Sequence, residues 1–143
     1  MKNWFFLVLF LFFAQLGFGQ TQDSCNNAGR TYIKPEYAAS FGTDPADLQK
    51  FFDGAFQSVE RPAAIVNMAL LIDSAGKAQF SSASYLKPTS MDDSVLIKVV
   101  NQMPVWTPAR QKNCFVQSAI FVKLNIKKES VELIYHKSQT ATN

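Results

Sequence analysis

Apolar and polar residues alternate cleanly along two long stretches of the chain. In AIVNMALLID, Ala64, Val66, Met68, Leu70 and Ile72 fall on one face, and Ile65, Asn67, Ala69 and Leu71 on the other. A period of two marks a half-buried strand, and the wholly apolar set predicts its inward face. Phe115 to Ile126 repeats the pattern, with Val116, Ile120, Val122, Leu124 and Ile126 sharing a face. Asp73-Ser74-Ala75-Gly76 ends the first strand with a tight-turn signature, Asp opening the turn and Gly taking the left-handed conformation. Lys77 to Tyr85 then reads as a return strand with Ala78 and Phe80 inward. The serines beyond Phe80 predict a more exposed, weakly held far end. Val131 to His136 alternates enough for a short fourth strand, and Thr31-Tyr32-Ile33 for another short one stopped by Lys34-Pro35.

Two segments carry helical spacing instead. Asp44 can cap a first helix, Pro45 suits its first position and Asp47 favours its positive end. Leu48, Phe51 and Phe52 then form the stripe that seats it on a sheet, and Gly54 is expected to end it. Glu60-Arg61-Pro62 breaks the chain after Phe56. Lys87-Pro88 ends the hairpin. Ser90 with Asp93 approximates a capping box for a second helix over Met91 to Gln102, whose apolar face is Leu96, Val99, Val100 and Met103. Pro104 stops it. Trp106, held between Pro104 and Pro108, is large enough to plug the junction of helix and sheet. Ala109 to Asn113 reads as a polar loop. Helices and strands in this order predict an α+β domain over residues 31–136: a small three-to-four-stranded antiparallel sheet with two helices packed on one face.

Residues 1–19 stand apart. Lys2 precedes an unbroken apolar run from Trp4 to Phe13, and Gly17-Phe18-Gly19 places small residues at −3 and −1 before Gln20. This is the grammar of a cleaved secretory signal. An uncleaved anchor is the alternative, although the run is short of the roughly 20 residues a span needs. A lipid-modified Cys25 is disfavoured by the polar Gln22-Asp23-Ser24 before it. Residues 20–30 are expected to form a flexible leader and residues 137–143 a flexible tail. Export makes the two cysteines, Cys25 and Cys114, candidates for a disulfide, with two unpaired thiols as the alternative. The expected location is periplasmic or secreted, with no stable membrane span after signal cleavage. A formal net charge of +3, with its lysines scattered, gives no nucleic-acid footprint.

Candidate chemistry is sparse. His136 is the single histidine, with no nucleophile evidently paired to it. Asp92 and Asp93 are accounted for by the helix dipole, and Asp73 by its turn. Two cysteines and one histidine do not make a zinc set. No metal, cofactor or enzymatic activity is therefore expected. Phe51, Phe52, Phe56, Phe80 and Phe121 read as packing residues. Phe115 and Phe121 are also the best candidates for an exposed aromatic on the outer face.

Four features in order resemble the C-terminal domain of TonB and its relatives: the hairpin Ile72-Asp73-Ser74-Ala75-Gly76-Lys77-Ala78, the helix end Val99-Val100-Asn101-Gln102-Met103-Pro104, the following Trp106-Thr107-Pro108, and a long terminal strand. Lys34-Pro35-Glu36-Tyr37 is similar to that family's K-P-E-[FY] opening, while the double glycine common after it is replaced by Ala38-Ala39-Ser40-Phe41-Gly42. The resemblance implies a periplasmic docking module that adds an extended segment of an outer-membrane receptor, or another envelope protein, to a sheet edge. It places that edge on the third strand, at Val116, Ser118, Ile120, Val122 and Leu124, unless Val131 to His136 covers it. The short leader and absent spacer argue against the energy transducer itself and for an adaptor, a competitor or a repurposed module. A homodimer is a further expectation. The other functional reading is a small structural envelope protein with no part in TonB-dependent transport.

Overall fold

The computed structural model describes residues 25, 29–44, 46–59, 63–86 and 91–137, the last three by their backbone alone. The expected signal segment, most of the leader and the tail from 138 lie outside the described residues. So do the roles expected of Pro45, Glu60-Arg61-Pro62, Lys87-Pro88 and Ser90. Among the described residues, no helix is long and apolar enough to cross a membrane.

The chain is α+β. Its elements are β1 (Thr31–Tyr32), α1 (Ala46–Ala55), a 3₁₀ turn (Phe56–Ser58), β2 (Ala64–Ile72), β3 (Ala78–Tyr85), α2 (Asp93–Val100), β4 (Ala109–Gln111), β5 (Cys114–Ile126) and β6 (Val131–Lys137). The sheet is larger than expected, with six strands, and it is mixed, because β1 runs parallel to β5. Ala109 to Asn113, expected as a loop, is half of a β4–β5 hairpin. Lys112 and Asn113 both sit at positive φ, 47° and 63°, the backbone a two-residue hairpin turn requires. Polar side chains on a short strand hid this pairing from the alternation test.

Capping sets the helices. Asp44 Oδ1 accepts from the Ala46 amide at 2.7 Å, as expected, while Asp47 Oδ2 reaches back to the amides of Thr43 (3.1 Å) and Asp44 (3.0 Å). Those two amides hold the Asp47 carboxyl below its ordinary range. Gly54 does not end α1: the helix continues to Ala55 and tightens into the 3₁₀ turn, which buries Phe56. In α2 the cap is Asp92, whose side chain accepts from Ser94 N, and the helix begins two residues later than the sequence suggests.

Leu48 and Phe52 from α1, and Leu96, Val99 and Val100 from α2, join Val66, Met68, Leu70 and Ile72 of β2 in one buried cluster. Trp106 is 1% exposed and packs edge-on to Phe41, with ring centroids 5.0 Å apart. Its backbone N–H donates to Gly76 O at 2.9 Å, which pins the β2–β3 turn to the Trp-Thr-Pro segment. Asp73 Oδ1 accepts from both Ala75 N and Lys77 N, and Gly76 has φ 83°. A side chain at Gly76 would be strained and would run into Trp106 O. The hairpin signature and the Trp between prolines are therefore two halves of one contact.

Cys25 and Cys114 are bonded, with Cα atoms 5.7 Å apart. The bridge ties the chain ahead of β1 to the start of β5, close to where Thr31 and Tyr32 pair with Gln117 and Ser118. A disulfide is compatible with an exported protein.

Candidate docking site

The five residues expected to form a docking edge lie in the interior of the sheet. Along one side of β5, Ser118 through Ile126 pair with β2. Along the other, Phe121 through Ile126 pair with β6, and Gln117 and Ser118 with β1. Their side chains are no more available than their backbone: Val116, Ser118, Ile120, Val122 and Leu124 are each at most 2% exposed and face the helices. The structure does bring the five together, but as one row of the core. Alternation along a strand reports which face is buried; it carries no information about how many neighbours the strand has. Ser118 is the one buried polar residue of the row, and its hydroxyl has no hydrogen-bond partner among the described residues.

Among the longer strands, β3 and β6 are each paired on one side only. The start of β6 is closed by a helix side chain. Gln49 of α1 donates from Nε2 to Val131 O at 2.8 Å and accepts from Leu133 N at 2.7 Å. One amide thus satisfies the two backbone groups that a neighbouring strand would satisfy. Leu48 and Phe52 fix the face of α1 that packs, and Gln49 follows beside it. Nothing in the sequence singles this glutamine out. Gln49→Ala is expected to leave both backbone groups unpaired, cost about 1–3 kcal/mol and raise amide exchange at Leu133 before exchange rises in β2. Unchanged exchange at Leu133 would mean that the edge is held by something else.

β3 has no such cover among the described residues. Its sequence, AQFSSASY, holds no charge and no proline, the devices that usually blunt an edge. Its one irregularity is a bulge. Leu70 pairs with Phe80 and Ala69 with Ser82, so Ser81 is an extra residue. The bulge resets the phase. Ala78 and Phe80 face inward before it, as expected, and Ala83 and Tyr85 face inward after it, leaving Ser82 and Ser84 outside. Tyr85 anchors the far end by donating from its hydroxyl to Asp93 Oδ1 at 2.6 Å. Burial first, and this bond second, hold the phenol well above its ordinary pKa.

The outer face next to this edge has relief. A concavity of about 380 Å³ opens there, walled by Phe121 and Lys123 of β5 and floored by small residues of β2 and β3. Phe121 is 44% exposed, and Phe115, beneath the Arg110 guanidinium at 5.6 Å, is 54% exposed, so both expected outward aromatics are outward. No cluster of three or more His, Cys, Asp or Glu residues that could hold a metal occurs among the described residues. The backbone of His136 pairs with Val122.

No family model matches this chain, and no match was found among curated proteins or among solved structures.

Proposed function

We propose that this protein is a docking module of the cell envelope that captures an extended segment of a partner by adding it as a strand to β3. One observation carries this reading: β3 is an eight-residue strand with one side unpaired among the described residues and with no charge or proline to defend it. Backbone hydrogen bonds to the added segment supply affinity, and its alternate side chains meet the outer face. The Cys25–Cys114 bridge and the similarity to the TonB C-terminal domain support an extracytoplasmic setting. An outer-membrane receptor is the first partner class to consider. The docking edge differs from the one the resemblance implies, because β6 and β1 occupy the flank of β5.

The test is photo-crosslinking in living cells from a photoreactive residue at Ser82, with the captured peptides sequenced. The expected captures are unstructured stretches of envelope proteins, absent when the probe sits at Glu132 on the opposite side of the sheet. Captures between copies of this chain alone would replace the docking reading with self-association. Identical captures from both positions would remove β3 as the site.

A further inference from the structure

The pairing registers lay two rows of residues across the sheet on the face away from the helices. One is Ser84–Asn67–Lys123, continued into β6 at Tyr135, and the other is Ser82–Ala69–Phe121, continued at Lys137. Both rows step from small to large. Two serines, an alanine and an asparagine stand on the β3 and β2 side; two lysines, a tyrosine and a phenylalanine stand on the β5 and β6 side. The step between the halves is the concavity of about 380 Å³, within the range of about 300–1,000 Å³ that small-molecule sites occupy. Its chemistry is one-sided. Lys123, Asn67, Ser82 and Ser84 each bring a hydrogen-bond donor to it, and none of these side chains is engaged in a hydrogen bond or ion pair among the described residues. Neither row holds a carboxylate. Glu132, opposite Asn125 one row on, is the nearest acid by register, and its carboxylate lies 3.5 Å from Lys127 Nζ.

We infer that this step takes the phosphate of an anionic lipid headgroup, and that this face of the sheet rests on a bilayer surface. An oxyanion that only accepts hydrogen bonds uses all four donors and meets no repulsion on either row. The Lys123 ammonium supplies the charge, a compact cation of the kind that binds phosphate. Phe121 separates the two sources of such a group. Its side chain is 44% exposed and walls the step beside Lys123. Inorganic phosphate would leave that ring in water, whereas the glycerol and upper acyl chain of a lipid would cover it. Phe115 stands on the same face of β5, six residues or about 20 Å away. It is 54% exposed and carries the Arg110 guanidinium over its ring, so the face has a second apolar contact with its own cation. Cations interleaved with outward rings match a surface that is negative at its headgroups and apolar beneath them. This inference does not rest on strand addition. The lipid meets the face of the sheet, and the unpaired backbone groups of β3 lie in its plane, so both sites can be filled at once.

The test is sedimentation of the disulfide-bonded protein, recovered from the producing cells, with vesicles of phosphatidylglycerol mixed into phosphatidylcholine or of phosphatidylcholine alone. Binding is expected to the anionic vesicles and to weaken as salt is raised. It should fall about fivefold in Lys123→Gln, the scale of one cation at an anionic surface, and by at least as much in Phe121→Ala. Both changes are on the outer face, so the variants are expected to keep the parent circular dichroism. Lys98→Gln, exposed on α2, is the control and should bind like the parent. A spin-labelled lipid in the anionic vesicles should broaden the amide signals of Asn67, Ser82 and Lys123 more than those of α2. Equal binding to both kinds of vesicle, or an equal loss in Lys98→Gln, would overturn the headgroup site. Inorganic phosphate or polyglutamate that shifts those amides, with no binding to vesicles, would overturn a lipid as the occupant. Absence of binding to all of these would overturn the site itself and leave the Ser82 crosslinks to decide strand addition separately.

Discussion

Ile120→Lys is expected to abolish the folded state. Ile120 is 2% exposed, paired through β2 to Leu70, and faces the apolar residues of both helices. A lysine there has no carboxylate to meet. An unpaired buried charge costs about 3–5 kcal/mol before the lost packing is counted, against a total stability on the order of 5–15 kcal/mol for a domain. The expected circular dichroism is that of an unfolded or loosely collapsed chain, with no cooperative urea transition. Phe121→Lys, one residue on, is the control. Phe121 points outward and is 44% exposed, so its variant should stay folded and lose no more than about 1 kcal/mol. A folded Ile120→Lys beside an unfolded Phe121→Lys would mean that the two faces of β5 are reversed.

That contrast also separates what the sequence showed from what it could not. Side-chain alternation reads up from down. It placed Val66, Met68, Leu70, Ile72, Ile120, Val122 and Leu124 on the core side, and all are buried. It does not read left from right, and the docking edge was a left–right question. Strand neighbours are chosen by backbone groups that every residue carries alike. The resemblance implies an edge at β5, while the signal that it is central is weak: 13 residues long, with Ala119 and Phe121 keeping even its outer face partly apolar.

Phase breaks set the second limit. At Ser81 one inserted residue moves Ser82 and Ser84 outward and Ala83 and Tyr85 inward. Serine and alanine are so nearly neutral towards either face that the sequence is equally readable in both phases. A second irregularity in β6 lies opposite Lys123 and Leu124, and leaves Ile134 46% exposed. The candidate site thus grows out of features that local pattern reports poorly: a bulge, an unfilled floor of small residues, and a helix glutamine closing the competing edge. Turn chemistry was legible because it is local. Asp73 and Gly76 act as their types predict, and Trp106 is buried where its flanking prolines place it.

Removing the bridge by Cys25→Ser with Cys114→Ser is expected to be the largest change that still leaves a native fold to measure. The bonded residues are 89 apart in sequence, so the crosslink denies the unfolded chain a long loop. In the chain-entropy model a loop of that length is worth about 4–5 kcal/mol, comparable with the whole stability of a marginal domain. A drop of that size should appear as a large fall in the urea midpoint. The slope should rise modestly, because the unfolded chain without its crosslink exposes more surface. The native-state consequence is local. β1 pairs with β5 through Thr31 and Tyr32 and through the Gln117 Nε2 to Thr31 Oγ1 bond of 2.7 Å, with the bridge anchoring the chain just ahead of it. Amides at Thr31 and Tyr32 should therefore exchange faster in the double variant, while those at the centre of β2 follow the global stability. Exposing the Gln117–Ser118 flank of β5 in this way would also free a short second edge. Crosslinks that move from Ser82 to the Gln117 flank in the double variant would then show that the bridge helps decide which edge a partner finds. An unchanged midpoint would mean that the bridge restrains the folded and unfolded chains alike, and that packing in the cluster around Trp106 and Phe52 carries the stability alone.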